Sequence, residues 1–259
     1  MQSVAKTAIL AATLSTATLA SAGTPAESAG TLKPTVVLVH GAFADGSTWS
    51  RVIPLLQAKG LKVVAVQNPL TSLAADVAAT RRVLAKESGP VVLVGHSYGG
   101  VVITEAGQQA NVKALVYVAA YAPSEGQSIA DLNKDYPTPS GFSHIVADNE
   151  GFLTLTEDGV SEHLAQDVDA DQARLMTAVQ TPTQAKDFED KVSAAAWKTK
   201  PSWYVVSEKD HMLQPELQRA MAKRIQASVV SLPASHVPQL SKPAEVAEVI
   251  LAASEAASR

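Results

Sequence analysis

Short β-branched runs separated by amphipathic stretches set the rhythm of this chain. Six runs, at 35–39, 62–66, 91–95, 114–119, 202–207 and 228–232, are apolar at most positions rather than at alternate ones. A strand reads that way when both of its faces are covered, as in a parallel sheet with helices on each side. Between the runs, helical spacing recurs at about 47–59, 72–87, 98–109, 215–227 and 243–256. In the second of these, Leu73, Val77 and Leu84 share a face while Arg81, Arg82 and Lys86 point to water. Pro215 and Pro243 suit first-turn positions, where the missing N–H costs no helical bond. Alternating strands and helices predict an α/β fold: a mainly parallel, six-stranded, doubly wound sheet with helices on both faces.

One interval breaks the alternation. Residues 122–200 show no convincing strand but carry helical patterns at 160–168, 170–179 and 183–196. Such an insertion is too long for a plain loop. It reads as a helical cap after the fourth strand, above the carboxyl ends where open α/β sheets bind ligands. The core is then assigned to 34–121 and 201–259. At the amino end, Lys6 precedes an apolar, small-residue run that closes on Ala20-Ser21-Ala22. That is the pattern of a signal peptide at 1–22, so cleavage near Ala22 and export to the periplasm or medium are expected. The Gly-, Ser-, Thr- and Pro-rich 23–33 stretch reads as a linker.

Composition narrows the chemistry. The 259 residues are 46% hydrophobic and carry a formal net charge of −4 without a basic stripe, which argues against a nucleic-acid partner. The amino-terminal apolar run is too short and too threonine-rich for stable membrane insertion. Cysteine is absent. Disulfides, thiolate metal sites and a cysteine nucleophile are thereby excluded.

The third apolar run stops at Gly95-His96-Ser97-Tyr98-Gly99, and a helix-compatible segment follows at once. A serine hydroxyl is a weak nucleophile until it meets a base and donors for the developing oxyanion. A tight strand-to-helix turn provides both, and its glycines let neighbouring backbones come close. Ser97 is therefore the candidate nucleophile. Of six histidines, His236 lies on a loop just past the last strand, within reach of Ser97, and is the candidate base. His40 ends the first strand; His96 sits inside the turn and is expected to point away from the nucleophile's side. His144 and His163 fall in the cap, and His211 directly follows a candidate acid. Asp210, at the carboxyl end of the preceding strand, completes the order Ser97…Asp210…His236. Glu208 and, less well placed, Asp45 are rival carboxylates. The backbone amides of Tyr98 and Ala42 are the expected oxyanion donors, with Phe43 the alternative to Ala42. Phe43, Tyr98, Tyr121 and Met212 adjoin these loops and are candidate pocket walls, as is Trp197 in the cap.

These motifs, with 40–49 (HGAFADGSTW), 210–216 (DHMLQPE) and 235–237 (SHV), resemble the α/β-hydrolase superfamily over nearly all of the chain beyond the amino-terminal segment. The likeness is to a small bacterial esterase branch similar to plant methyl-ester esterases and hydroxynitrile lyases. The resemblance implies a Ser97–Asp210–His236 triad, oxyanion donors at Ala42 and Tyr98, and no metal or organic cofactor. The lyases of this branch carry a lysine after the catalytic histidine and a threonine in the first loop. Val237 and Gly41 stand there, which favours hydrolysis of a small-molecule carboxylic ester or lactone. A cofactor-free lyase, oxygenase or perhydrolase is the alternative on the same scaffold, as is a binding protein with a vestigial triad. An aspartate nucleophile of the dehalogenase kind is excluded by Ser97. Oligomeric state and the identity of the ester stay open.

Overall fold

In the computed structural model, which describes residues 33–258, the first four apolar runs become β1 (Thr35–Val39), β2 (Lys62–Val66), β3 (Val91–His96) and β4 (Val112–Val118). The inserted segment contributes β5 (Ile145–Ala147), β6 (Phe152–Leu155) and β7 (Thr183–Gln184). The last two runs are β8 (Ser202–Ser207) and β9 (Ser228–Leu232). The main sheet is parallel throughout, in the order β2–β1–β3–β4–β8–β9. The signal peptide expected at 1–22 lies outside the described residues, as does the expected linker apart from Lys33.

Alternate side chains of the four inner strands, β1, β3, β4 and β8, enter two separate cores. Val37, Leu93, Leu115, Tyr117 and Tyr204 face one; Val36, Leu38, Val92, Val94 and Val116 face the other. Burial on both faces is why the runs are continuously apolar. Helices α2 (Leu73–Leu84) and α3 (Gly99–Ala106) cover the first core, together with α6 (Pro215–Arg224). The second is covered by α1 (Ile53–Ala58) and α8 (Pro243–Ala257), the latter inserting Val246, Val249 and Ile250. Strand order reverses between β1 and β3, so the crevice expected at a topological switch opens at the carboxyl ends of those two strands.

Three expected helices come out differently. The 47–59 segment divides into a 3₁₀ turn, Gly46–Trp49, and α1. Asp45 caps the turn by accepting from the Ser47 amide, and Pro54 near the start of α1 cannot continue an earlier helix. The cap is not purely helical either. It keeps α5 (Ala170–Val179) and adds an unexpected α4 (Ile129–Asn133), but β5, β6 and β7 form an antiparallel sheet within it. The 160–168 pattern shortens to a π-helical turn at Gly159–Leu164. The 183–196 pattern is not one helix: Thr183 and Gln184 pair with Leu153 and Phe152, and only 3₁₀ turns follow. Pro182 and β-branched Thr183 favour extended backbone there, and the edge of β6 supplies the hydrogen bonds. A final short helix, α7 (Pro238–Ser241), was not expected from the spacing.

The 183–190 segment docks the cap onto the core. The Gln184 amide donates to Leu70 O, and Asp190 accepts from the Leu73 amide. Phe188 stacks on Phe43 and tilts against Tyr98. Beside it, Asp187 is fully buried, and neither carboxyl oxygen meets a donor among the described residues. Burial first, then the charges of Asp76 and Asp190, pushes its pKa up to about 7, with Lys186 opposing. Asp76 is also raised, to about 6, by burial, which the Tyr98 hydroxyl and the Leu70 amide partly offset.

A raised carboxyl makes stability fall as pH rises. Below pH 4 Asp187 is protonated in folded and unfolded chain alike; above it the unfolded chain ionises first, and the loss continues until about pH 7. Asp187→Asn removes the titration and keeps the shape. Its melting temperature should match the parent's near pH 4 and exceed it progressively towards pH 8, where the difference in stability is on the order of a few kcal/mol. A difference that stays constant across that range would refute this.

Candidate active site

The turn after β3 carries Ser97 in left-handed backbone geometry, φ 53°, an uncommon state for a residue with a side chain. Its surroundings hold it there. The Ser97 amide donates to Val118 O, and its carbonyl accepts from the amides of Gly100 and Tyr121. The approach is close enough that a Cβ on Gly100 would lie 2.2 Å from Tyr121 O, and one on Gly41 would lie 2.7 Å from Ser97 Cβ. Glycine at these positions is a packing requirement.

Three loops at the carboxyl edge converge on this turn. From the loop after β9, His236 places Nε2 2.8 Å from Ser97 Oγ and Nδ1 2.7 Å from Asp210 Oδ2. Asp210 comes from the loop after β8. Its Oδ1 accepts from the amides of Met212 and Leu213, at 2.7 and 2.8 Å, and its Oδ2 also accepts from Gln218 Nε2 at 2.8 Å. Both His236 and Asp210 are buried. The rival carboxylates go elsewhere. Glu208 pairs with Arg219, which holds it below the usual carboxylate range, and Asp45 is used as the cap of the 3₁₀ turn.

The amides of Ala42 and Tyr98 donate to no protein acceptor among the described residues. Phe43 differs, because its amide donates to Thr183 Oγ1 at 3.2 Å. Of the two amides considered for the first loop, Ala42 is thus the one left for a ligand oxygen. Phe43 itself has φ 56°, so the Thr183 hydroxyl stabilises a backbone state that would otherwise be costly next to that amide.

The other histidines have definite places. His40 is buried; its Nε2 accepts from the Asn68 amide while Nδ1 faces Gly41 O, which fixes one neutral tautomer. Burial lowers its pKa. His96 packs against the backbone of the base. Its Nε2 donates to the His236 carbonyl at 2.7 Å, and the two rings lie 4.9 Å apart. Burial, reinforced by His236, holds its pKa well below the ordinary range, so it is a neutral brace for the base. His144, His163 and His211 cluster ring against ring, linking the cap to the loop after Asp210.

A cavity of about 310 Å³ lies under the cap beside Phe43, walled by Ile129, Phe142, Ile145, Leu153 and Phe188, with Asn133 and Glu189 as its polar members. Of the residues considered as walls, Phe43 lines it. Tyr121 is buried behind it and accepts from Asn133 Nδ2. Met212 packs against Gly141, Trp197 donates to Pro123 O, and the Tyr98 hydroxyl donates to Asp76. The cap also holds the catalytic-side loops directly. Gln166 donates to Lys209 O, and Asp167 accepts from the Ser235 amide, one residue before His236. Neither Thr183, Gln166, Asp167 nor Gln218 was singled out by motif, since each acts from outside the loops that carry the pattern. Among the described residues no three His, Cys, Asp or Glu side chains are grouped to hold a metal ion, and no helix is long and apolar enough to cross a membrane.

Residues 36–249 match the alpha/beta hydrolase family. Among curated relatives, a pyrethroid hydrolase from Sphingobium wenxiniae is 26% identical over 255 residues, covering 83% of this chain and 85% of that protein. Methylesterase 8 of Arabidopsis thaliana is 25% identical, over 85% of this chain and 89% of its own length. A crystal structure of a pyrethroid hydrolase superposes with a TM-score of 0.75 at 24% identity, covering 85% of this chain and 96% of that one, and shares the fold.

Thr183→Val keeps the shape of the side chain but leaves the Phe43 amide without a partner. An unpaired buried donor costs about 1–3 kcal/mol, and here the strain falls beside the Ala42 amide. The rate at which a fluorophosphonate probe labels Ser97 should drop about 10-fold, the lower part of that range. An unchanged rate in a folded variant would show that Thr183 does not hold the first loop.

Proposed function

The chain belongs to the alpha/beta hydrolase family, and within it we propose a serine hydrolase that cleaves a carboxylic ester or lactone through an acyl-enzyme on Ser97. The observation that carries this reading is the unbroken chain from Ser97 Oγ through the His236 imidazole to Asp210, beside two uncommitted amides. Ser97 Oγ attacks the carbonyl carbon while His236 Nε2 takes its proton. The carbonyl oxygen becomes an oxyanion between the amides of Ala42 and Tyr98. His236 then gives its proton to the leaving alcohol. Water, deprotonated by the same nitrogen, releases the acid and restores Ser97. Asp210 fixes the imidazole with its proton on Nδ1 and stabilises the charge it gains. This chemistry calls for no cofactor.

Two features support the ester side of the family. A lyase-type threonine in the first loop has no room at Gly41, where even a Cβ would meet Ser97. Val237, which follows the base, is buried and apolar and offers no charge to the site. The aromatic and aliphatic walls beside Phe43 suit an apolar acyl or alcohol group. Relatives named as a hydrolase and a methylesterase accord with this reading.

Ser97→Ala should abolish fluorophosphonate labelling and lower p-nitrophenyl acetate hydrolysis by at least about 10⁴-fold. Retained labelling, or turnover close to the parent's, would place the nucleophile elsewhere.

A further inference from the structure

Gln218 lies in α6, eight residues beyond Asp210, and is fully buried. Its carboxamide has only one orientation consistent with its neighbours. The Ser207 amide is a donor at 3.0 Å and must meet Oε1; Leu213 O is an acceptor at 2.8 Å and must meet Nε2. Two backbone groups, neither of them part of the triad, therefore decide which end faces Asp210. What remains is a single N–H, and it points at Asp210 Oδ2 from 2.8 Å.

That oxygen is the one that receives His236 Nδ1. Oδ1 is already filled by the amides of Met212 and Leu213. The four donors match the four acceptor positions of a carboxylate. Three of them act on the acid from its own loop or from the base. Gln218 is the only side chain of the four that reaches in from a helix, so it ties the rotation of the carboxyl plane to the rigid core. It also shares the charge of the oxygen that His236 sees.

We propose that Gln218 is a positioning residue: its carboxamide locks the Asp210 carboxyl plane and takes part of the charge of Oδ2, which sets how strongly the acid holds the His236 imidazole. The inference rests on the serine-hydrolase reading above and adds a residue that acts through the acid. A role in filling space alone predicts something different, since a side chain of similar volume would serve as well.

Gln218→Met keeps the length and removes both donors; Gln218→Glu keeps the shape and sets a carboxyl against Asp210. In p-nitrophenyl acetate hydrolysis, kcat should fall about 10- to 100-fold in each, with KM within about threefold, because geometry at the reacting centre is lost rather than substrate contact. The acidic limb of the kcat/KM profile should move to higher pH, further in the Glu variant, since a less shared Oδ2 holds the imidazolium more strongly. Parental kcat and parental profiles in folded variants would overturn the proposal. Should neither variant fold, the unmodified protein answers: the Gln218 carboxamide 1H and 15N resonances should shift when a fluorophosphonate labels Ser97, and unmoved resonances would overturn it. An active, labelled Ser97→Ala would sink the underlying mechanism; an inert Ser97→Ala beside parental Gln218 variants would sink this inference alone.

Discussion

Backbone approach at the turn after β3 is the constraint on which the rest of the site depends. Ser97 must adopt a left-handed conformation to lift its hydroxyl clear of the sheet, and such a residue returns to ordinary geometry unless its neighbours forbid it. Here they do. Val118 O fixes its amide, the amides of Gly100 and Tyr121 fix its carbonyl, and the bare Cα atoms of Gly100 and Gly41 let Tyr121 and the first loop come close to it. Every later element has its place set by this turn. The first loop must pass beside Ser97 Cβ to bring the Ala42 amide near, and the β8 and β9 loops must span the distance from the sheet edge to a hydroxyl whose position is already decided.

The cap continues this logic from above. It is tied to each of the three loops by a side-chain hydrogen bond, among other contacts: Thr183 to the first, Gln166 to the loop of Asp210, Asp167 to the loop of His236. A cap bound to the loops in this way is more than a cover. Its hydrogen bonds thus end on the loops that carry Ala42, Asp210 and His236.

How much of this the chain displays follows from the range of each signal. The four inner strands can be read because burial on both faces leaves an apolar run; the edge strands β2 and β9 show only through their valines, and the four-residue spacing of Leu73 and Val77 marks α2 as clearly. The turn around Ser97 is legible because glycines and serine are required at fixed offsets within five residues. The cap is not, since its strands are only two to four residues long and the last of them gains its hydrogen bonds from a partner about 30 residues away, as Thr183 does from Leu153. The partner of His96 is hidden for a related reason: the His236 carbonyl that it meets is brought in by a loop 140 residues later. Gln218 leaves a faint trace: it lies beside Leu217 and three residues before Met221, all buried, so it is a polar residue set in the apolar stripe of a helix. That pattern signals a buried hydrogen-bond partner without naming it.

Two buried aspartates show how the same side chain serves opposite ends. Asp210 meets four donors, one for each acceptor position, and with every position filled its carboxyl plane cannot turn without breaking bonds. Asp187 meets none among the described residues and sits near Asp76 and Asp190, where burial and like charge favour its proton. The first arrangement suits a group that must hold one orientation through a reaction cycle. The second suits a contact that is stable only while neutral, and it lies where the cap meets α2 and the Tyr98 ring. The docking of the cap is therefore open to change with pH through Asp187. Because Tyr98 directly follows Ser97 and donates its hydroxyl to Asp76, the two environments are joined through one residue.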